Sequence, residues 1–128
     1  RNIKPMNFEI TEKNQLIVIY LKGKLIGQHQ IATIIDDIED KIADEKTHFI
    51  AELSEVKLIN STGLGILLSI LTKARNAGGE LILASLSEQI KKLLIVTKLN
   101  AIFTIEPNLE MAIEKLATLK KENETIKM

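Results

Sequence analysis

The run Asn60-Ser61-Thr62-Gly63-Leu64-Gly65 packs two hydroxyls, a carboxamide and two glycines into six residues. An apolar strand pattern precedes it and an apolar helix pattern follows, so it sits at a strand-to-helix junction. Asn60 and Ser61 both suit a helix N-cap, where a side-chain oxygen accepts from the free amides of a first turn. A hydroxyl there has a second use. Exposed amides and the helix dipole favour negative charge, so a phosphate would be well received on Ser61 and secondarily on Thr62. The glycines also need a reason, since each costs a helix about 1 kcal/mol relative to alanine. Bare positions on either side of Leu64 let another backbone or a partner approach, with Leu64 as the apolar contact. The plainer reading is that Ser61 is a cap and nothing more, as such serines more often are, and that the glycines only permit tight geometry.

Other chemistries find little support. Leu68 stands where a third glycine would complete a dinucleotide fingerprint with Gly63 and Gly65, and no Gly-Lys-Ser/Thr sequence offers a P-loop. Ser61 is not in a Gly-x-Ser-x-Gly elbow, and nothing in the sequence places His29 or His48 beside it. The central strand ends in Leu53-Ser54 rather than in a phospho-accepting aspartate, and the flanking Glu52 and Glu55 show no paired-carboxylate logic. The absence of cysteine removes thiolate zinc sites, cysteine nucleophiles and disulfides. His29 and His48 are too few and too far apart for a metal cluster, and each reads as a surface or strand-edge residue. No catalytic residue, metal or cofactor is expected.

Composition narrows the partners. Lys plus Arg and Asp plus Glu number 17 each in 128 residues, so no net field draws nucleic acid or an anionic membrane. A protein or a small ligand is the expected partner. The length suits a single domain with a real core. No apolar run approaches the roughly 18 residues of a membrane span, and no signal-peptide pattern opens the chain. A cytoplasmic protein without membrane insertion is expected, its domain covering residues 6–119 with flexible ends at 1–5 and 120–128.

The elements follow from periodicity. Phe8 to Glu12 alternates and turns at Lys13-Asn14 into the β-branched run Leu16–Leu21, which reads as a hairpin whose second strand is buried on both faces. Gly23 to Gly27 breaks the pattern. Ile31, Ile34, Ile35, Ile38 and Ile42 mark an amphipathic helix with an acidic wet face, and Phe49–Leu53 a strand. Leu64, Leu67, Leu68, Leu71 and Ala74 mark a second helix, stopped by Gly78-Gly79. Glu80–Ala84 is a strand, Ser85 and Glu88 suit a capping box, and Ile90 to Val96 continues as helix. Ile102–Ile105 is a short strand, and Pro107-Asn108 opens a last helix. The order ββαβαβαβα predicts an α/β domain with a mainly parallel sheet and an antiparallel first strand. Sites in such sheets lie beyond the C-terminal ends of strands, where residues 60–65 fall.

The stretch Phe49 to Gly65 resembles the signature of STAS domains, the family of bacterial anti-sigma factor antagonists. Leu21-Lys22-Gly23-Lys24-Leu25 upstream extends the resemblance. Ala77 to Leu83 and Thr97 to Phe103 continue it downstream, so that it covers the chain from Phe8 to Leu116. The resemblance implies a STAS fold and a partner-switching role without catalysis. An anti-sigma factor serine kinase would phosphorylate Ser61, the unphosphorylated form would sequester that kinase, and a metal-dependent serine phosphatase would reset the switch. Asn60, Ser61, Thr62, Gly63, Leu64 and Gly65 would form the docking surface. Two residues depart from the family pattern: Asn60 stands where many antagonists carry aspartate, and Ile26 where an acidic residue is frequent. The alternative is a constitutive STAS subunit of a lipid-transport ATPase, in which Ser61 is only a cap.

Overall fold

Asn14 and Gln15, both with positive φ (53° and 69°), form the two-residue turn between β1 (Met6–Lys13) and β2 (Leu16–Leu25). Left-handed residues at both turn positions match the twist of the flanking antiparallel strands, and Lys13 pairs with Leu16 at the turn. The computed structural model describes residues 6–26 and 31–127 of the chain; Gly27 and His29 lie outside these. β2 does not break at Gly23 but continues to Leu25.

The rest alternates as expected: α1 (Ile31–Ala43), β3 (His48–Ile59), α2 (Ser61–Asn76), β4 (Glu80–Ala84), α3 (Glu88–Val96), β5 (Thr104–Glu106) and α4 (Leu109–Lys127). A single 3-10 turn at Leu99–Ala101 precedes β5, which therefore starts two residues later than the sequence pattern suggests. The sheet order is β1-β2-β3-β4-β5, antiparallel only between β1 and β2.

Strand alternation divides the core into two layers. Ile17, Ile19, Phe49, Ala51, Leu81 and Leu83 pack on α1, α2 and α3 through residues such as Ile34, Ile38, Leu67, Ile70 and Leu94. Their alternates Leu16, Val18, Ile50, Ile82 and Ala84 pack on α4 through Ala112 and Leu116. The three crossover helices share one face because successive right-handed crossovers between neighbouring parallel strands put them there. The other face is left for α4. Residues 120–127 continue α4, and Asn123 donates to the Gly78 carbonyl (3.2 Å).

Two local expectations are corrected. Ser87, not Ser85, caps α3, its hydroxyl accepting from the Ile90 amide at 3.2 Å. Ser85 instead takes a left-handed conformation (φ 64°) and donates to Glu52 Oε1 at 2.8 Å. His48 is not a surface residue: it is buried at the start of β3, with Nδ1 3.1 Å from Thr47 Oγ1 and Nε2 3.5 Å from Asn123 Nδ2.

Candidate functional site

β3 positions the site by outrunning its neighbour. Its pairing with β4 ends at Glu52, yet the strand goes on to Ile59 rather than stopping at Leu53. Two register shifts against β2 make this possible. β3 takes three steps from Glu52 to Glu55 while β2 takes two from Tyr20 to Lys22, and two steps from Val56 to Leu58 while β2 takes one. Each shift is a bulge with one extra residue on β3, which bends and twists the strand. Val56 and Ile59 therefore stay in the core, while Lys57 and Leu58 are turned outward. Glu52 finishes the shared part of the sheet. It is 7% exposed, and its carboxylate accepts from Ser85 Oγ and, at 3.1 Å, from the Ser54 amide, two residues past the end of the β4 pairing. Its partners make it a structural group.

Asn60 then starts α2. Its backbone is extended (φ −126°, ψ −170°), its Oδ1 accepts from the Gly63 amide at 3.1 Å, and its carbonyl accepts from the Leu64 amide at 2.9 Å. Its Nδ2 donates to the Ile26 carbonyl at 3.5 Å. The two departures from the family pattern are thus in contact with each other, and the second bond needs a carboxamide, since an ionised aspartate has no hydrogen to give. Asn60 joins the end of β2 to the start of α2.

The remaining residues separate into an inward and an outward set. A Cβ on Gly63 would lie 2.0 Å from the Leu25 carbonyl oxygen and 2.7 Å from Ile59 Cγ1. The backbone that approaches this glycine is therefore the chain's own β2. Leu64 is 4% exposed within the main core, which corrects its expected role as a partner contact: at this helix position it points down onto the sheet. Ser61 and Gly65 are exposed and Thr62 is half-buried. A Cβ on Gly65 would meet nothing within 4 Å. Ser61 and Gly65 are four apart and share a helix face, which continues through the exposed Ser69 and Thr72. Among the described residues, the Ser61 hydroxyl and the Ser61 and Thr62 amides have no hydrogen-bond partner.

One residue of the surface was missed in the sequence. Leu58 is 48% exposed, two residues before the cap. In an apolar run it reads as core, and only the second bulge puts it outside. Lys22, Lys24 and Lys57 are exposed on the same two-stranded extension, with Glu55 the acidic residue among them. The perturbed ionisation lies elsewhere: hydrogen bonds to Asp44 and then Glu12 hold the Lys46 ammonium above the ordinary lysine range. Among the described residues no group of three or more side chains is placed to hold a metal ion, and no helix is long and apolar enough to cross a membrane.

The profile of the STAS domain family matches residues 7–112. Among solved structures the chain is similar to an anti-sigma factor antagonist from Mycobacterium paratuberculosis, with 18% identity, a TM-score of 0.73, and 88% of this chain and 94% of that one covered. It is similar to the Bacillus cell fate determinant SpoIIAA in its phosphorylated form, at 22% identity and a TM-score of 0.68, covering 85% and 98% of the two chains. It is also similar to a sulfate transporter family protein from Wolinella succinogenes, at 15% identity and a TM-score of 0.69, covering 87% and 92%. At such identities the structural likenesses show a shared fold.

Proposed function

The chain belongs to the STAS domain family, and on that premise we propose that it is an anti-sigma factor antagonist, a binding module whose docking is switched by phosphorylation of Ser61. The observation that carries this reading is the exposed, unpartnered Ser61 hydroxyl at the first position of α2, beside Leu58 and the open notch at Gly65. Ser61 is free to react while its neighbours Asn60, Gly63 and Leu64 hold the turn rigid.

In the unmodified form, an anti-sigma factor serine kinase docks over Leu58 and along the small-residue face Ser61, Gly65, Ser69 and Thr72. A phosphate on Ser61 adds about −1.5 to −2 charges at neutral pH. Buried in an apolar contact without cationic partners, that charge is costly, and about 1.4 kcal/mol already shifts binding tenfold. The modified chain therefore lets the kinase go. The turn itself is not disrupted, because the free amides of Ser61 and Thr62 and the helix dipole receive the phosphate. SpoIIAA, whose fold this chain shares, has been solved both unphosphorylated and phosphorylated, and the TM-scores are nearly equal at 0.69 and 0.68. A metal-dependent serine phosphatase restores the first state. Thr62, half-buried, is the lesser acceptor.

Incubation with ATP and the cognate kinase, followed by mass spectrometry and a binding titration, tests the reading. Phosphate on Ser61, persistent binding by Ser61→Ala and lost binding by Ser61→Glu are expected. An unmodified Ser61 together with wild-type binding by Ser61→Glu overturns the switch; copurification with a transporter ATPase would then identify a constitutive subunit.

A further inference from the structure

The two edges of the sheet are finished differently. β5 has three residues, Thr104–Glu106, too few to template another chain. β1 has eight, in unbroken register with β2 and without proline, and among the described residues no strand covers its outer side. Long regular edges invite a further strand, and proteins normally blunt them. Beside this edge α1 forms a wall, leaving a groove of about 440 Å³ lined by Ile10, Asp37, Asp40, Lys41 and Asp44. Ile10, half-buried against the core, supplies its apolar floor.

Charge selects what can lie there. Residues 31–46 carry six carboxylates against Lys41 and Lys46, so the even overall balance conceals a local negative field. Lys46 bridges Glu12 and Asp44 (3.1 and 3.0 Å), and Lys73 takes Glu39 (2.7 Å). Asp37 and Asp40 have no cationic partner among the described residues. A second copy paired antiparallel, edge to edge in one continuous sheet, would carry its own α1 on the same face, setting two acidic walls against one seam, and like charges there are repulsive. An anionic lipid surface meets the same repulsion. We propose that β1 accepts an extended, lysine- or arginine-bearing segment of a partner protein as a sixth strand. Its backbone pairs with the outer side of β1, and its alternate side chains, which point to one face of a sheet, reach Asp37 and Asp40. The groove is lined by Ile10 of β1 and by residues of α1 and the turn after it, whereas the α2 turn packs on the end of β2 at Leu25; the two surfaces share no residue, and docking here does not require Ser61.

The test titrates the full chain with a blocked octapeptide of alternating lysine and valine at low salt, reading fluorescence anisotropy and amide hydrogen exchange. Saturable binding and slowed exchange within β1 are expected, with no binding by the glutamate–valine counterpart. Methylation of alternate peptide nitrogens, which removes ladder hydrogen bonds without removing charge, abolishes binding. The pair Asp37→Lys and Asp40→Lys weakens it about tenfold. Absence of binding, equal binding of the methylated peptide, protection confined to other elements, or self-association of the chain through β1 each overturns the proposal. The methylated-peptide arm uses the unaltered protein, so the outcome does not depend on how the charge-reversed variant folds.

Discussion

Gly63 and Gly65 stand two residues apart in the first turns of the same helix, and their surroundings are opposite. At Gly63 a side chain would collide with the Leu25 carbonyl 2.0 Å away; at Gly65 it would meet nothing within 4 Å. The first glycine exists for the fold, because α2 can start against the end of β2 only if no Cβ intervenes. Among the described residues nothing requires the second, an exposed helical glycine that costs about 1 kcal/mol relative to alanine, and the proposed docking would give it a use. The same division runs through the whole turn. Asn60, Gly63 and Leu64 are tied to the chain's own β2, turn and core; Leu58, Ser61, Thr62 and Gly65 are the residues that the proposed function gives to a partner.

Substitutions can break that division or sharpen it. The largest effects belong to the inward set: Gly63→Ala and Leu64→Ala should each cost roughly 3 kcal/mol or more, the first by overpacking against backbone and the second by emptying a core site. Chemical denaturation measures both, and a Gly63→Ala protein as stable as the parent would mean that β2 and α2 can separate freely. Ser61→Glu should come next, with folding stability kept but kinase affinity lowered at least about tenfold, measured by titration against the same partner. Leu58→Ser should likewise weaken docking while changing stability by less than about 0.5 kcal/mol; a large loss of stability instead would return Leu58 to the core. Asn60→Ala should cost about 1 kcal/mol through the lost cap. Asn60→Asp keeps the acceptor for Gly63 but not the donor to Ile26, so its cost should be smaller. Gly65→Ala, the mildest, should raise stability by up to about 1 kcal/mol while filling the notch, so that a gain in melting temperature accompanies weaker docking.

The legible part of this chain is the part set by local pattern. Period-two alternation marked β1, the isoleucines of α1 fell at helical spacing, and Asn60 was among the residues that could cap α2. What escaped needed a neighbour to reveal it. Nothing in Leu53 to Ile59 announces two bulges, because a bulge is defined by the count on the facing strand, and the local pattern therefore ends the strand at Leu53. Ser85 and Glu88 have the spacing of a capping box, yet Ser85 is taken by Glu52, 33 residues away in sequence, and Ser87 caps instead. His48 looks like an edge residue until α4 brings Asn123 over it.

The sequence by itself determined the element order, the mainly parallel sheet and the place of the candidate site at a strand-to-helix junction, because periodicity, capping and turn preferences act over a few residues and leave their mark there. Only the tertiary structure decided which side of that junction faces the core. That choice depends on how far β3 overruns β4 and how closely β2 approaches α2, and contacts between segments more than thirty residues apart have no local sequence signal. The same holds for the acidic groove at β1, which exists because a helix and an edge strand that are separate in the chain lie side by side in space.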